Sequence, residues 1–239
     1  MARELWPMPA PLVLIHGLGC DSSFWRPQIT HLASLRWLLR APDLPYPGGV
    51  ADEVRPSLSG LAGWVAQGLQ GQPTVLVGHS LGGMIALQIA HEAPTLVRGL
   101  VLVDAFPTLA LNTQFLPDLF APNASAELRA GIEARQQEII ARMPQTTYDA
   151  IWRSVRDFNA VPWLPQIRCP VLAIYGGRGR YRPGEAEVLR QQLRLSRIGG
   201  PAQVVIVAGA GHFVNLERPR QTNAAIAAWV KEHFGAPVI

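Results

Sequence analysis

The sequence predicts an α/β fold with a mostly parallel sheet of about six strands, on three observations. Six short apolar runs alternate with segments of helical character. Each run is nearly continuous in apolar residues, as parallel strands covered by helices on both faces must be. The chain has 239 residues, 49% of them hydrophobic, enough to build one substantial core.

The runs are Pro11 to Ile15, Trp37 to Ala41, Thr74 to Val77, Leu100 to Val103, Val171 to Tyr175 and Val204 to Val207. The clearest helical segments are Leu81 to His91, Gly184 to Leu195 and Arg218 to Phe234, the last closed by Gly235 and Pro237. Pro42, Pro45, Pro47, Gly48 and Gly49 mark a turn-rich loop after the second strand. More than sixty residues separate the fourth and fifth strands, too many for a plain loop. Residues 105–166 therefore read as a helical lid inserted into a core of residues 1–104 and 167–239. Phe106, Phe115, Leu116, Phe120, Ile132, Ile139, Ile140, Trp152 and Trp163 give this insertion apolar faces, and Arg129, Glu133, Arg135 and Glu138 a polar one.

Composition excludes several classes. No apolar run approaches the ~18 residues of a membrane span, and Met1 to Ala10 lacks the basic-then-apolar order of a secretory signal, so a cytoplasmic protein is expected. The net charge of +4 comes almost entirely from scattered arginines, without the aromatic-interleaved basic stripe of a nucleic-acid binder. Cys20 and Cys169 are too few for a disulfide framework or a four-cysteine zinc site. Cys20 reads as a packing residue rather than a nucleophile.

The chemistry concentrates in three short motifs. Gly78-His79-Ser80-Leu81-Gly82 follows a predicted strand and precedes a predicted helix. That context forces Ser80 onto a sharp turn with its hydroxyl projecting, and the glycines let strand and helix approach closely. A serine hydroxyl needs a base, for which histidine is best matched. His212, in Gly209-Ala210-Gly211-His212-Phe213, lies directly after the last strand, so its loop opens at the same sheet edge as Ser80. His16 and His79 belong to tight motifs they support, while His31, His91 and His233 fall in helical segments. Leu18, in the glycine-rich turn His16-Gly17-Leu18-Gly19, and Leu81 are the candidates for backbone N–H donors to an oxyanion.

Taken in order, HGLG, GHSLGG and GAGHF resemble the α/β-hydrolase family, over residues 12 to 234 apart from the lid. The resemblance implies catalysis by a serine, a histidine and an acid, with no metal or organic cofactor for ester hydrolysis. It also implies an eight-stranded sheet, whereas this chain reaches the HGLG strand within its first sixteen residues, so the sheet is expected to lack the two leading strands. In most members the acid stands in a Gly-x-x-Asp arrangement after the strand corresponding to Val171 to Tyr175. Here that stretch reads Gly176-Gly177-Arg178-Gly179, with Gly179 where Asp is expected. The family's other site lies one strand earlier, and Asp104 occupies it. Asp104 is the expected acid; Glu185, Asp157 and a Ser–His dyad stay open. Arg178, Arg180 and Arg182 could attract an anionic part of a substrate, or pair with Asp104 or Glu185.

These features lead to a serine carboxylesterase acting on a small-molecule ester. A lactonase or amidase using the same residues is the alternative, and a slow hydrolase-fold ligand-binding protein, suggested by Gly179, is a further one.

Overall fold

The computed structural model describes residues 10–46, 54–111, 119–178 and 181–235. Its elements in chain order are β1 (Leu12–Ile15), α1 (Arg26–Ser34), β2 (Leu39–Arg40), α2 (Leu58–Gly68), β3 (Thr74–His79), α3 (Leu81–Glu92), β4 (Val97–Val103), α4 (Ala126–Ala141), α5 (Gln145–Asp157), β5 (Val171–Gly176), α6 (Ala186–Gln192), β6 (Ala202–Val207), α7 (Val214–Glu217) and α8 (Pro219–Phe234). The strands form one six-stranded sheet in the order β2-β1-β3-β4-β5-β6. Every pairing is parallel. The α/β expectation is met, and the strand count with it.

The apolar runs are continuous because alternate residues serve two cores. Val13, Leu76, Leu100, Leu102, Ala173 and Tyr175 pack on one side with Leu61 of α2, Ile85 of α3 and Leu189 of α6. Leu12, Leu14, Val75, Val77, Val101, Val103 and Ile174 pack on the other with Leu32 of α1 and Ile226 and Trp229 of α8. Boundaries follow local chemistry. Ser57 and Ser125 accept hydrogen bonds from Gly60 N and Leu128 N at the starts of α2 and α4. Pro219 opens α8, and Gly235, at φ +83°, ends it.

Four elements differ from the sequence expectation. Leu39–Arg40 is all that pairs of the second run, because β2 is a sheet edge with a single partner. The segment 184–195 is a short 3₁₀ turn followed by α6, and Arg194, at φ +61°, breaks the helix. The α1 and α2 helices were not among the segments that stood out in the sequence.

Residues between β4 and β5 carry α4 and α5, which lie over the carboxyl edge of the sheet. Ile140 of α4 and Tyr148, Trp152 and Val155 of α5 line a cavity there. Phe106 joins them, Phe120 stacks on Phe213, and Trp163 stacks on His91, neither of which lines the cavity. Ile132 belongs to a small cluster with Cys20, Phe24 and Phe213. Phe115 and Leu116 lie outside the described residues.

Candidate active site

Ser80 stands between β3 and α3 at φ 52°, ψ −117°. A left-handed backbone is costly for a residue with a Cβ and persists only where its surroundings enforce it. Here the enforcement is close packing. A Cβ on Gly82 would come within 2.1 Å of the Ile15 carbonyl oxygen, and one on Gly78 within 2.3 Å of Gly82. Strand β1, strand β3 and helix α3 are therefore in backbone contact, and the chain turns sharply at Ser80, whose N–H donates to Val103 O at 3.0 Å. Asp104 and Arg178 also have positive φ, 44° and 47°.

His212 follows β6 in a loop fixed from several sides. Its N–H donates to Leu119 O at 2.7 Å, and its carbonyl accepts from His79 Nε2 at 2.9 Å. The buried Glu217 carboxylate accepts from Gly211 N at 3.0 Å and Ala121 N at 2.9 Å. Glu217 escaped the sequence reading. Its signal was an acid in an otherwise largely apolar stretch, Phe213 to Leu216.

Asp104, fully buried at the end of β4, has its Oδ2 at 2.7 Å from His212 Nδ1. This contact assigns the proton of neutral His212 to Nδ1 and leaves Nε2 as the basic nitrogen. The same carboxylate accepts from Gly176 N at 3.2 Å and from two nitrogens of Arg178, at 3.2 Å to Oδ1 and 2.5 Å to Oδ2. Burial alone would raise the Asp104 pKa. The Arg178 charge and the His212 hydrogen bond outweigh it and bring the value down to about 2.

Ser80, His212, Asp104, Leu18 and Leu81 all line one cavity of about 210 Å³, with Met84, Ala105, Phe106, Leu109, Gln136, Ile140, Tyr148, Trp152, Val155, Arg178 and Phe213 among the other walls. Leu18 N–H donates to no protein acceptor among the described residues. Leu81 opens α3, so its N–H is one of the first-turn donors without an intrahelical partner. No hydrogen bond joins the Ser80 hydroxyl to His212, a contact that commonly tightens only around substrate. Such a set can deprotonate a hydroxyl at neutral pH and stabilise an oxyanion beside it.

The remaining candidates separate from this group. Glu185 accepts from Arg182 N, and Asp157 is exposed at the end of α5. Of the arginine cluster, Arg178 is buried against Asp104, Arg182 is exposed, and Arg180 lies outside the described residues, as does Gly179. Cys20 is buried, and its thiol is pushed up to about 12, chiefly by that burial, as suits a packing residue. No group of three or more His, Cys, Asp or Glu among the described residues could hold a metal ion, and no helix among them is long and apolar enough to cross a membrane.

A family model described as the alpha/beta hydrolase family matches residues 12–225. The chain is similar to a putative carbamate hydrolase, RutD, of Serratia proteamaculans, at 33% identity over 160 residues, 62% of this chain and 54% of that protein. It is also similar to a pimeloyl-[acyl-carrier protein] methyl ester esterase of Yersinia pestis, at 35% identity over 122 residues, 51% of this chain and 44% of that protein. The matched region thus spans about half the length of each of these two relatives. In fold, the chain resembles a thermophilic esterase from Thermogutta terrifontis, with a TM-score of 0.72 at 22% identity, covering 95% of this chain and 91% of that one.

Proposed function

The chain belongs to the α/β-hydrolase family, and from that premise we propose that it is a serine hydrolase of small, largely apolar carboxylic esters. The observation that carries this reading is the 2.7 Å contact of Asp104 with His212 in the cavity that Ser80 also lines. In this mechanism His212 Nε2 removes the Ser80 proton as Oγ attacks the ester carbonyl, and the Leu18 and Leu81 amides stabilise the oxyanion. His212 then protonates the leaving alcohol. Water, activated by the same base, releases the acid from the acyl-enzyme and restores Ser80. Asp104 holds the ring in its tautomer and offsets the positive charge it gains.

Within the inserted stretch 105–166, α4 and α5 act as a lid, and Phe106, Ile140, Trp152 and Val155 exclude water and receive the acyl group. The cavity of about 210 Å³ is small for a ligand site and suits a short acyl chain. The charge of Arg178 is already matched by Asp104, which favours a neutral substrate over an anionic one. The esterase names among the relatives agree with the ester; the carbamate hydrolase keeps an amide-type leaving group as the alternative.

A serine-directed phosphonate should label Ser80 alone, and Ser80→Ala should abolish turnover of p-nitrophenyl acetate and butyrate. Labelling elsewhere, or full activity in Ser80→Ala, would sink the proposal. Faster turnover of a lactone or amide of the same acyl group would move the assignment to that substrate.

A further inference from the structure

We propose that Arg178 is a positioning residue: it clamps Asp104 by a two-point ion pair and, by neutralising that carboxylate, sets the pH range over which His212 works as a base. This rests on the serine-hydrolase reading above and adds a residue to it. The guanidinium comes from the loop after β5, the place where the family resemblance leads one to expect the acid itself. Here the acid has moved to the end of β4 and a cation has taken up a position facing it. Both side chains are almost completely buried, at 3% and 0% exposure, so solvent screens their interaction little. Arg178 is itself fixed, since its N–H donates to Ala210 O at 2.8 Å, two residues before His212.

In a Ser–His–acid site without such a cation, the carboxylate's full negative charge favours the imidazolium. Here Asp104 Oδ2 is shared between the Arg178 guanidinium and the His212 ring. A positive charge bound to the same oxygen offsets part of the carboxylate's pull on a ring proton. Among the described residues, the polar and titratable groups placed around this loop and cavity include His79 and Ser80 at the end of β3, Gln136 of α4, Tyr148 of α5, Glu217 of α7 against Gly211, and Arg218, which approaches Gly209. His79, at about 3 because it is buried, and Asp104, at about 2, do not titrate between pH 4 and 8.

The experiment is kcat/KM against pH from 4 to 9, on p-nitrophenyl acetate, for the parent, Arg178→Met and Arg178→Lys. Arg178→Met should move the acid limb up by about one to two pH units and lower the plateau. Arg178→Lys, which keeps the charge but loses the fork, should keep the parent's acid limb with a reduced plateau. A role in shape alone would lower both plateaus and leave both limbs in place. An unmoved or lowered limb in Arg178→Met overturns the proposal, as does an equal shift in Arg178→Lys. If Arg178→Met does not fold by circular dichroism, Arg178→Gln carries the same readout, and an upward shift in Arg178→Lys by itself suffices to overturn it. Ser80→Ala separates the two levels: activity there defeats the serine-hydrolase reading, whereas an inactive Ser80→Ala with an unmoved Arg178→Met limb defeats only the role of Arg178.

Discussion

His79 Nε2 lies 2.9 Å from the carbonyl oxygen of His212, with the two rings 4.7 Å apart, so the residue before the proposed nucleophile is tied to the residue proposed as base. The His79 ring is fully buried, and burial, with the nearby His212 ring, lowers its pKa from 6.5 to about 3. Between those values the unfolded chain binds a proton that the folded chain does not. Stability from this group is therefore present above about pH 6.5 and lost as pH falls toward 3. Between pH 7 and pH 5 the loss is about 2 kcal/mol. Asp104 adds a second loss only below its unfolded value of 3.8, as pH falls toward 2. Urea midpoints at pH 7 and pH 5 should diverge more in the parent than in His79→Asn; equal divergence would exclude His79 as the source.

Asp104→Asn keeps the shape of the carboxylate but removes its charge and can present an amide N–H to His212 Nδ1. Turnover should fall by roughly 10²- to 10⁴-fold. The substitution also leaves the Arg178 guanidinium buried without its counter-charge, which costs about 3–5 kcal/mol. Thermal melting should drop markedly alongside the loss of rate. A rate within twofold of the parent would remove Asp104 from the mechanism.

Glu217→Gln tests the brace behind the histidine loop. The carboxylate accepts two backbone N–H groups with two oxygens, Gly211 N on Oε1 and Ala121 N on Oε2. An amide offers one oxygen and turns its NH₂ toward the other N–H, a cost of about 1–3 kcal/mol. The melting temperature should fall, and kcat should drop roughly ten- to hundredfold as His212 loses its fixed position. Unchanged kcat in a destabilised variant would confine Glu217 to stability.

Trp152→Ala tests the proposed acyl wall. Trp152 projects from α5 into the cavity that Ser80 lines. Removing the indole should raise kcat/KM for p-nitrophenyl octanoate relative to the acetate by about tenfold or more. The same ratio in both proteins would show that the acyl chain does not meet Trp152.

Much of the frame was legible because strands such as Thr74–His79 and Val171–Gly176 declare themselves through unbroken apolar runs. Ser80 was legible for a local reason: its strained turn requires small neighbours at Gly78 and Gly82, and that requirement is written in five consecutive residues. His212 was legible from its place just after the last strand. The edge strand at Leu39–Arg40 was overestimated, since an apolar run does not reveal how few partners a strand will find. The helix expected through 184–195 failed at Arg194, whose backbone conformation is not encoded by its residue type.

The order of motifs along the chain thus determined the α/β sheet, the turn at Ser80 and the edge at which His212 arrives, because each depends on neighbours in sequence. The family resemblance pointed to Asp104 as the expected acid and left Arg178 as one of three arginines able to pair with it or with Glu185; that Arg178 and His212 both meet its carboxylate was decided only in three dimensions. These three residues come from β4, the loop after β5 and the loop after β6, and sequence spacing does not specify which of several charged side chains will be buried against one another. Glu217 belongs with them, because a carboxylate that caps two backbone groups from distant segments leaves no local pattern to read. Sequence supplied the turn at Ser80; packing chose the company of Asp104.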